Sequence, residues 1–377
     1  MLKTIVVILL QQWQLSKISA RSRTRKFEPR SSSVLPKGIF KKLLLVISMG
    51  CLEWATQAFR PPPPKLCGSP DGPPITSPRI KLRDGRHMAY MEHGVPKETA
   101  KYKIVFIHAF ASCKEHNPFA VTSSPDVIES LQVYTVSFDR PGYGQSDPHP
   151  NQTLKSFALD VEELADQLEL GSKFYLIGYH QGGLLVWPCL KYIPHRLEGA
   201  TLISPNINFW WPSFPSKLCN EAYHQLHKQD QWARRVAHYL PWLTYWWNTR
   251  KWFPGLSASS RISNSPQDME AMSKLAPVKV QQTSQGEFES LHRDSIIAYK
   301  KWEFDPMELQ NPFPNNEGSV HLWMGGEDNF VPVTLQRFIA QQLSWINYHE
   351  IPDAAHMFAL LDGMSDTILK TQLNVKH

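Results

Sequence analysis

The apolar residues of this chain recur in two rhythms. Short runs rich in β-branched and aromatic residues occur at 103–108 (KIVFIH), 133–138 (VYTVSF), 173–177 (KFYLI) and 200–204 (ATLIS), and they predict strands buried on both faces; the pattern resumes at 319–324 (SVHLWM) and 346–351 (INYHEI). Between the second and third runs, residues 153–168 place Leu154, Phe157, Val161, Leu164 and Leu168 on one helical face and Glu162, Glu163 and Asp166 outside it. Strand, helix and strand in that order predict crossover connections and a mostly parallel α/β sheet flanked by helices. Ahead of it, residues 79–82 and 87–93 alternate around Asp84-Gly85, which predicts a β-hairpin.

The rhythm breaks at Asn206 and resumes at residue 319, so 207–314 reads as an insertion rich in Trp and Pro. Of thirteen tryptophans in the chain, Trp210, Trp211, Trp232, Trp242, Trp246, Trp247 and Trp252 crowd one stretch of it. Two readings stand: helices packing on one another, or an aromatic-lined apolar pocket. At the other end, residues 43–52 (LLLVISMGCL) carry no charge, and apolar character continues unevenly to Phe59. A helix over that stretch reaches about 25 Å, against a hydrocarbon core of about 30 Å, and Glu53 would cost roughly 2–3 kcal/mol near the bilayer centre. The segment is expected to be a membrane anchor or interfacial helix, the alternative being a peripheral helix packed on the domain. A spanning helix would leave the basic N-terminal flank in the cytosol. The apolar residues 5–10 are too short to span and resemble the core of a weak signal peptide. Pro61 to Pro64, with Gly68, Pro70, Gly72, Pro73 and Pro74, predict a semi-rigid linker. The expected division is 1–60 basic segment and anchor, 61–76 linker, 77–206 and 315–377 the two parts of the α/β core, and 207–314 the insertion.

Composition narrows the function classes. A content of 42% apolar and 20% charged residues over 377 positions is ordinary for a globular protein with a full core. The net charge of +6 comes from Arg21, Arg23, Arg25, Lys26, Arg30, Lys37, Lys41 and Lys42, and without that segment the chain is close to neutral, so no nucleic-acid partner is expected. Five cysteines with no metal-type spacing suggest neither a disulfide framework nor a metal site, and no cofactor is expected.

Ligands of such sheets collect at the carboxyl ends of the strands. His108-Ala109-Phe110 follows the first buried strand, Asp139-Arg140-Pro141-Gly142-Tyr143-Gly144-Gln145-Ser146 the second, and Phe174 to Leu184, reading FYLIGYHQGGL, contains the turn after the third. Asp328, in Gly325-Gly326-Glu327-Asp328, and His356, in Pro352-Asp353-Ala354-Ala355-His356, follow the last two. These ordered motifs over residues 75–375 resemble the α/β-hydrolase superfamily, in particular plant esterase- or lipase-like members with an N-terminal hydrophobic anchor. The resemblance implies an α/β-hydrolase fold with a helical cap over 207–314. It also implies a triad in the chain order nucleophile, acid, base, with Asp328 the acid and His356 the base. The backbone N–H groups of Phe110 and Gln181 would form the oxyanion hole, beside His108 and Ala109.

This chain departs from that family at the nucleophile, where a serine is expected and His180 stands between Gly178 and Gly182-Gly183. An imidazole forms no acyl-enzyme ester, so the sequence points to impaired ester hydrolysis with retained binding of a small apolar or ester-like ligand. The alternative is hydrolysis by water that a histidine activates. A metal set of His180, His356 and Asp328 is the weakest reading, because Asp328 belongs behind the His356 ring. Ala109 replaces the family's glycine, which admits backbone angles that alanine resists, so this loop is expected to be displaced.

Overall fold

A computed structural model describes residues 37–250, 252–253, 265–275 and 283–374. The chain forms two compact units, 1–60 and 61–377. Residues 5–10, the basic residues from Arg21 to Arg30, and the cap residues 251, 254–264 and 276–282 lie outside the described residues.

In the first unit the charge-free run is helical, within α1 (Lys37–Phe59). Among the described residues no helix is long and apolar enough to cross a membrane. The spanning form of the expected anchor is therefore not supported: Lys41 and Lys42 before the run and Glu53 and Gln57 after it interrupt the apolar length.

The second unit is built on an eight-stranded sheet in the order β1-β2-β4-β3-β5-β6-β7-β8. Its strands are β1 (Arg79–Lys81), β2 (His87–Gly94), β3 (Tyr102–Ile107), β4 (Val133–Phe138), β5 (Phe174–Tyr179), β6 (Leu197–Ile203), β7 (Val320–Gly325) and β8 (Ile346–Ile351). The hairpin β1–β2 and the pair β2–β4 are antiparallel, and all other pairs are parallel. Every residue of β4 and β7 is buried, which explains why these runs show no alternation. From β3 the chain steps outward to β4 and then returns to β5 on the other side of β3. The carboxyl ends of β3 and β5 are thus the topological switch point, where a crevice opens.

Helix α2 (Leu154–Gln167) covers one face, burying Leu154, Phe157, Val161 and Leu164, each worth about 1.5–3 kcal/mol on transfer from water. A capping box starts it: Ser156 N–H donates to Thr153 Oγ1 and Thr153 N–H donates to Ser156 Oγ, both at 2.9 Å. Helix α3 (Gln181–Tyr192) packs against the same sheet so closely that a Cβ on Gly182 would lie 2.0 Å from the Ile107 carbonyl oxygen. We predict that Gly182→Ala lowers the midpoint of urea denaturation by the equivalent of about 1–3 kcal/mol or more; an unchanged midpoint would contradict this packing.

The Pro-rich segment 61–76 is not the expected spacer. Its prolines have no N–H, and several of its remaining amides find partners on the folded unit. Lys65 N–H donates to the Gln285 carbonyl at 2.9 Å, Cys67 N–H to Gln285 Oε1 at 3.0 Å and Thr76 N–H to Gln145 Oε1 at 2.8 Å. Gln285 is fully buried and donates in turn to the carbonyls of Gly144 and Ser146, so the segment is held by a satisfied polar contact.

Candidate active site

The turn from β5 into α3 places His180 at φ 50° and ψ −106°, a region that side chains rarely occupy. Backbone hydrogen bonds hold it there. His180 N–H donates to the Ile203 carbonyl at 2.9 Å, and its own carbonyl accepts from Leu184 N–H at 3.0 Å and Asn206 N–H at 2.9 Å. The flanking glycines are required by space, since a Cβ on Gly178 would meet the Gly182 carbonyl oxygen at 2.3 Å. Strain concentrated at one residue and enforced by its surroundings is a mark of a functional turn.

The loops after β7 and β8 bring Asp328 and His356 to this turn. His356 Nδ1 donates to Asp328 Oδ2 at 2.7 Å, while Asp328 Oδ1 accepts from Phe330 N–H at 2.7 Å and Val331 N–H at 2.9 Å. These contacts fix the carboxylate, and the carboxylate fixes the imidazole tautomer. The His356 ring stands edge-to-face with that of His180, centroids 5.0 Å apart, and lies against Phe330 at 5.0 Å. His180, Asp328 and His356 are all buried, and the structure brings the three together.

Their electrostatics diverge. Burial disfavours a charge on His356, but Asp328 outweighs it and raises the pKa above the usual histidine value. Burial, then His356, Arg234 and Arg140, hold His180 well below it, so His180 is the neutral partner. Asp328 has its oxygens engaged by His356 and two amides, which leaves it placed as an orienting group, not as a ligand shared with His180.

Gln181 is the first residue of α3, where the N–H has no partner within the helix, and both it and Phe110 line a cavity beside His180. Ala109 does not carry a positive φ; in this loop the positive φ falls on Ala111, at 49°. The Ala109 carbonyl accepts from His108 Nδ1 at 2.8 Å and from Arg140 Nη2 at 2.9 Å, and His108 Nε2 accepts from Arg140 N–H at 3.0 Å. Fully buried and bonded through both nitrogens, His108 shapes the loop.

Sequence reasoning assigned no role to Arg140. Its guanidinium makes two bonds to Asp294, Nη1 to Oδ1 at 2.5 Å and Nη2 to Oδ2 at 2.8 Å, and Tyr143 O–H donates to the same carboxylate at 2.8 Å. Asp294 lies in the cap on a helix, Arg293–Tyr299, so this buried pair ties cap to core. The two residues are far apart in sequence, and no spacing rule joins them.

The cavity measures about 30 Å³ and is lined by His180, Gln181, Asn206, Asp230, Arg234, Tyr299 and others, with Phe110 and Phe330 as its apolar walls. None of the cap tryptophans lines it. Trp211 packs on Trp187 and Trp302, Trp210 stacks on His238, and Trp232 stacks on Trp247. Ring packing accounts for Trp210, Trp211, Trp232 and Trp247, while Trp242 and Trp252 are exposed.

Buried neutral histidines make the fold acid-sensitive. Burial holds His108 and His180 well below the ordinary value, and lowers His292 and His321 to about 4. In the unfolded chain these groups protonate near pH 6.5, so below that pH the unfolded state binds more protons and stability falls as pH drops towards 4. His356 acts oppositely: its contribution is full below about 6.5 and is lost as pH rises through its raised folded value. The lowered group outnumbers it. We predict that the thermal midpoint falls steadily from pH 7 to pH 5 and that His321→Asn flattens the profile; a midpoint independent of pH would contradict this.

Residues 102–362 match the family profile described as "alpha/beta hydrolase fold". A probable lysophospholipase from Arabidopsis thaliana, BODYGUARD 2, is 22% identical over 303 residues, covering 74% of this chain and 60% of that protein. The chain thus spans less than two thirds of that relative. Among solved structures, a thermophilic esterase from Thermogutta terrifontis is similar with a TM-score of 0.53 at 17% identity, over 80% of this chain and 98% of that one. The enol-lactonase from Burkholderia xenovorans LB400 is similar with a TM-score of 0.51 at 17% identity, over 79% and 98%.

Proposed function

Because the chain belongs to the alpha/beta hydrolase fold family, we propose that it is a member of the esterase- and lipase-like class with a degenerate triad, which binds a small apolar or ester-like ligand without forming an acyl-enzyme. One observation carries this reading: the residue at the strained tip of the elbow is His180, set edge-to-face against the base His356. Acyl transfer through a serine needs a hydroxyl whose proton the base removes and whose oxygen becomes the ester oxygen. His180 offers no such oxygen. The acid, the base and the oxyanion amide remain in place around it, which supports binding of a carbonyl group at Gln181. The Arabidopsis relative's description as a probable lysophospholipase supports an ester as the ligand class.

A second reading is favoured by the bonded His356–Asp328 pair and by a cavity large enough for a water molecule. In it, neutral His356 takes a proton from water as the water oxygen attacks the carbonyl, and returns it to the leaving alcohol. Aryl-ester turnover by purified wild type and His356→Ala separates the two. Turnover at the solvent background in both supports the first reading, and turnover abolished by His356→Ala supports the second.

The exposed apolar side chains Leu44, Leu45, Ile47, Met49, Leu52 and Trp54 of α1 support membrane association through 43–59. Sedimentation with lipid vesicles tests it: the full chain pellets with them, and a chain in which Leu45, Met49 and Leu52 are changed to Ser does not.

A further inference from the structure

The cavity beside His180 has a charge that the preceding reading does not use. Arg234 projects into it from a cap helix, Lys228–Tyr239. It is 94% buried, being 6% exposed, and its Nη1 is buried without a hydrogen-bond partner. Its guanidinium carbon lies 5.4 Å from the Phe209 ring centroid and 5.3 Å from that of Tyr299, so aromatic faces hold the group in position without consuming its N–H donors. The other buried arginine of the region, Arg140, is balanced by Asp294.

Of the other polar side chains of the cavity, Ser295 donates to the Leu291 carbonyl at 2.9 Å, and Asn206 and Gln181 are bonded to their neighbours. Asn206 Nδ2 donates to Gln181 Oε1 at 2.8 Å and to the Tyr299 hydroxyl at 3.0 Å, and Gln181 Nε2 donates to the Asp294 carbonyl at 3.4 Å. Asp230, one turn before Arg234 on the same helix, also lines the cavity and has an interaction of its own. An unpaired buried guanidinium is costly to keep. It is explained if a ligand supplies the missing acceptor.

We propose that this cavity is a carboxylate subsite, in which Arg234 and the Gln181 amide receive the carboxylate of a small organic acid, either free or carried at one end of an ester. The proposal rests on the binding role set out above and changes its ligand from a neutral apolar ester to an acid. Three features fit. A planar guanidinium donates to a carboxylate through paired N–H groups. The cavity is small and lies directly beside Arg234 and Gln181, where a carboxylate would sit. The first amide of a helix adds a donor and the positive end of the helix dipole.

The test uses the full chain with butyrate, butyramide, methyl butyrate and inorganic phosphate as probes, read by thermal midpoint and by calorimetric titration. Butyrate is expected to raise the midpoint and the other three to have little effect. In Arg234→Met butyrate binding should weaken about 10- to 100-fold, as loss of a charge-assisted bond implies, while the ligand-free midpoint stays equal or rises because the unpaired charge is gone. Arg234→Lys should retain part of the affinity. Equal binding of butyramide, tighter binding of phosphate, or undiminished butyrate binding by Arg234→Met overturns the subsite. Binding of methyl butyrate alone overturns it too, while leaving the ester-binding reading intact. No binding of any probe overturns the subsite, whereas the triad reading is judged separately by ester turnover.

Discussion

His180→Ser should convert this chain into a measurable esterase. The serine would enter a turn whose strain is already paid by backbone bonds to Ile203, Leu184 and Asn206, in reach of a base oriented by Asp328. In a complete triad, loss of the serine costs on the order of 10⁶ in turnover, which sets the ceiling of what the reverse change can restore. We expect an increase of at least about 10²-fold on aryl acetates, because the oxyanion amide and the acid–base pair are retained and only the nucleophile must be supplied. His356→Ala on that background should abolish the gain. If His180→Ser stays at the wild-type level while folded, the cap or the oxyanion loop has also diverged.

The largest effect on stability is expected at the Arg140–Asp294 pair. Asp294→Ala would leave a buried guanidinium charged and unpaired, and would remove the acceptor of the Tyr143 hydroxyl. Breaking one side of a buried pair costs about 3–5 kcal/mol, which for a chain of this size means a thermal midpoint lower by roughly 4–8 °C. The double change Arg140→Met with Asp294→Leu should recover most of that, since it removes both charges together. Differential scanning calorimetry of the three proteins decides it: a single variant as stable as wild type would show that the pair does not tie the cap to the core.

The parallel sheet was legible because strands buried on both faces write themselves as unbroken apolar runs; residues 133–138 coincide with β4, which is buried throughout. The positions of His180, Asp328 and His356 were legible because each lies just beyond a strand of the sheet. What stayed hidden has a common physical cause. Arg140 with Asp294, and Arg234 with Phe209 and Tyr299, are contacts between the core or elbow and the cap, and long-range polar contacts leave no periodic trace in sequence. The tryptophans left two readings open for a related reason, since aromatic content does not say whether a ring packs in a pocket or against another helix. The Pro-rich segment misled because composition predicts stiffness but cannot show that Gln285 binds the amides between the prolines.

The central claim is that the elbow holds no nucleophile able to take up an acyl or phosphonyl group. Treatment of the wild-type protein with a serine-directed fluorophosphonate, followed by mass measurement of the peptide carrying His180, tests it most directly, with His180→Ser as the positive control. The account predicts an adduct on the variant peptide and none on the wild type. A stoichiometric adduct on the wild-type elbow peptide would contradict it.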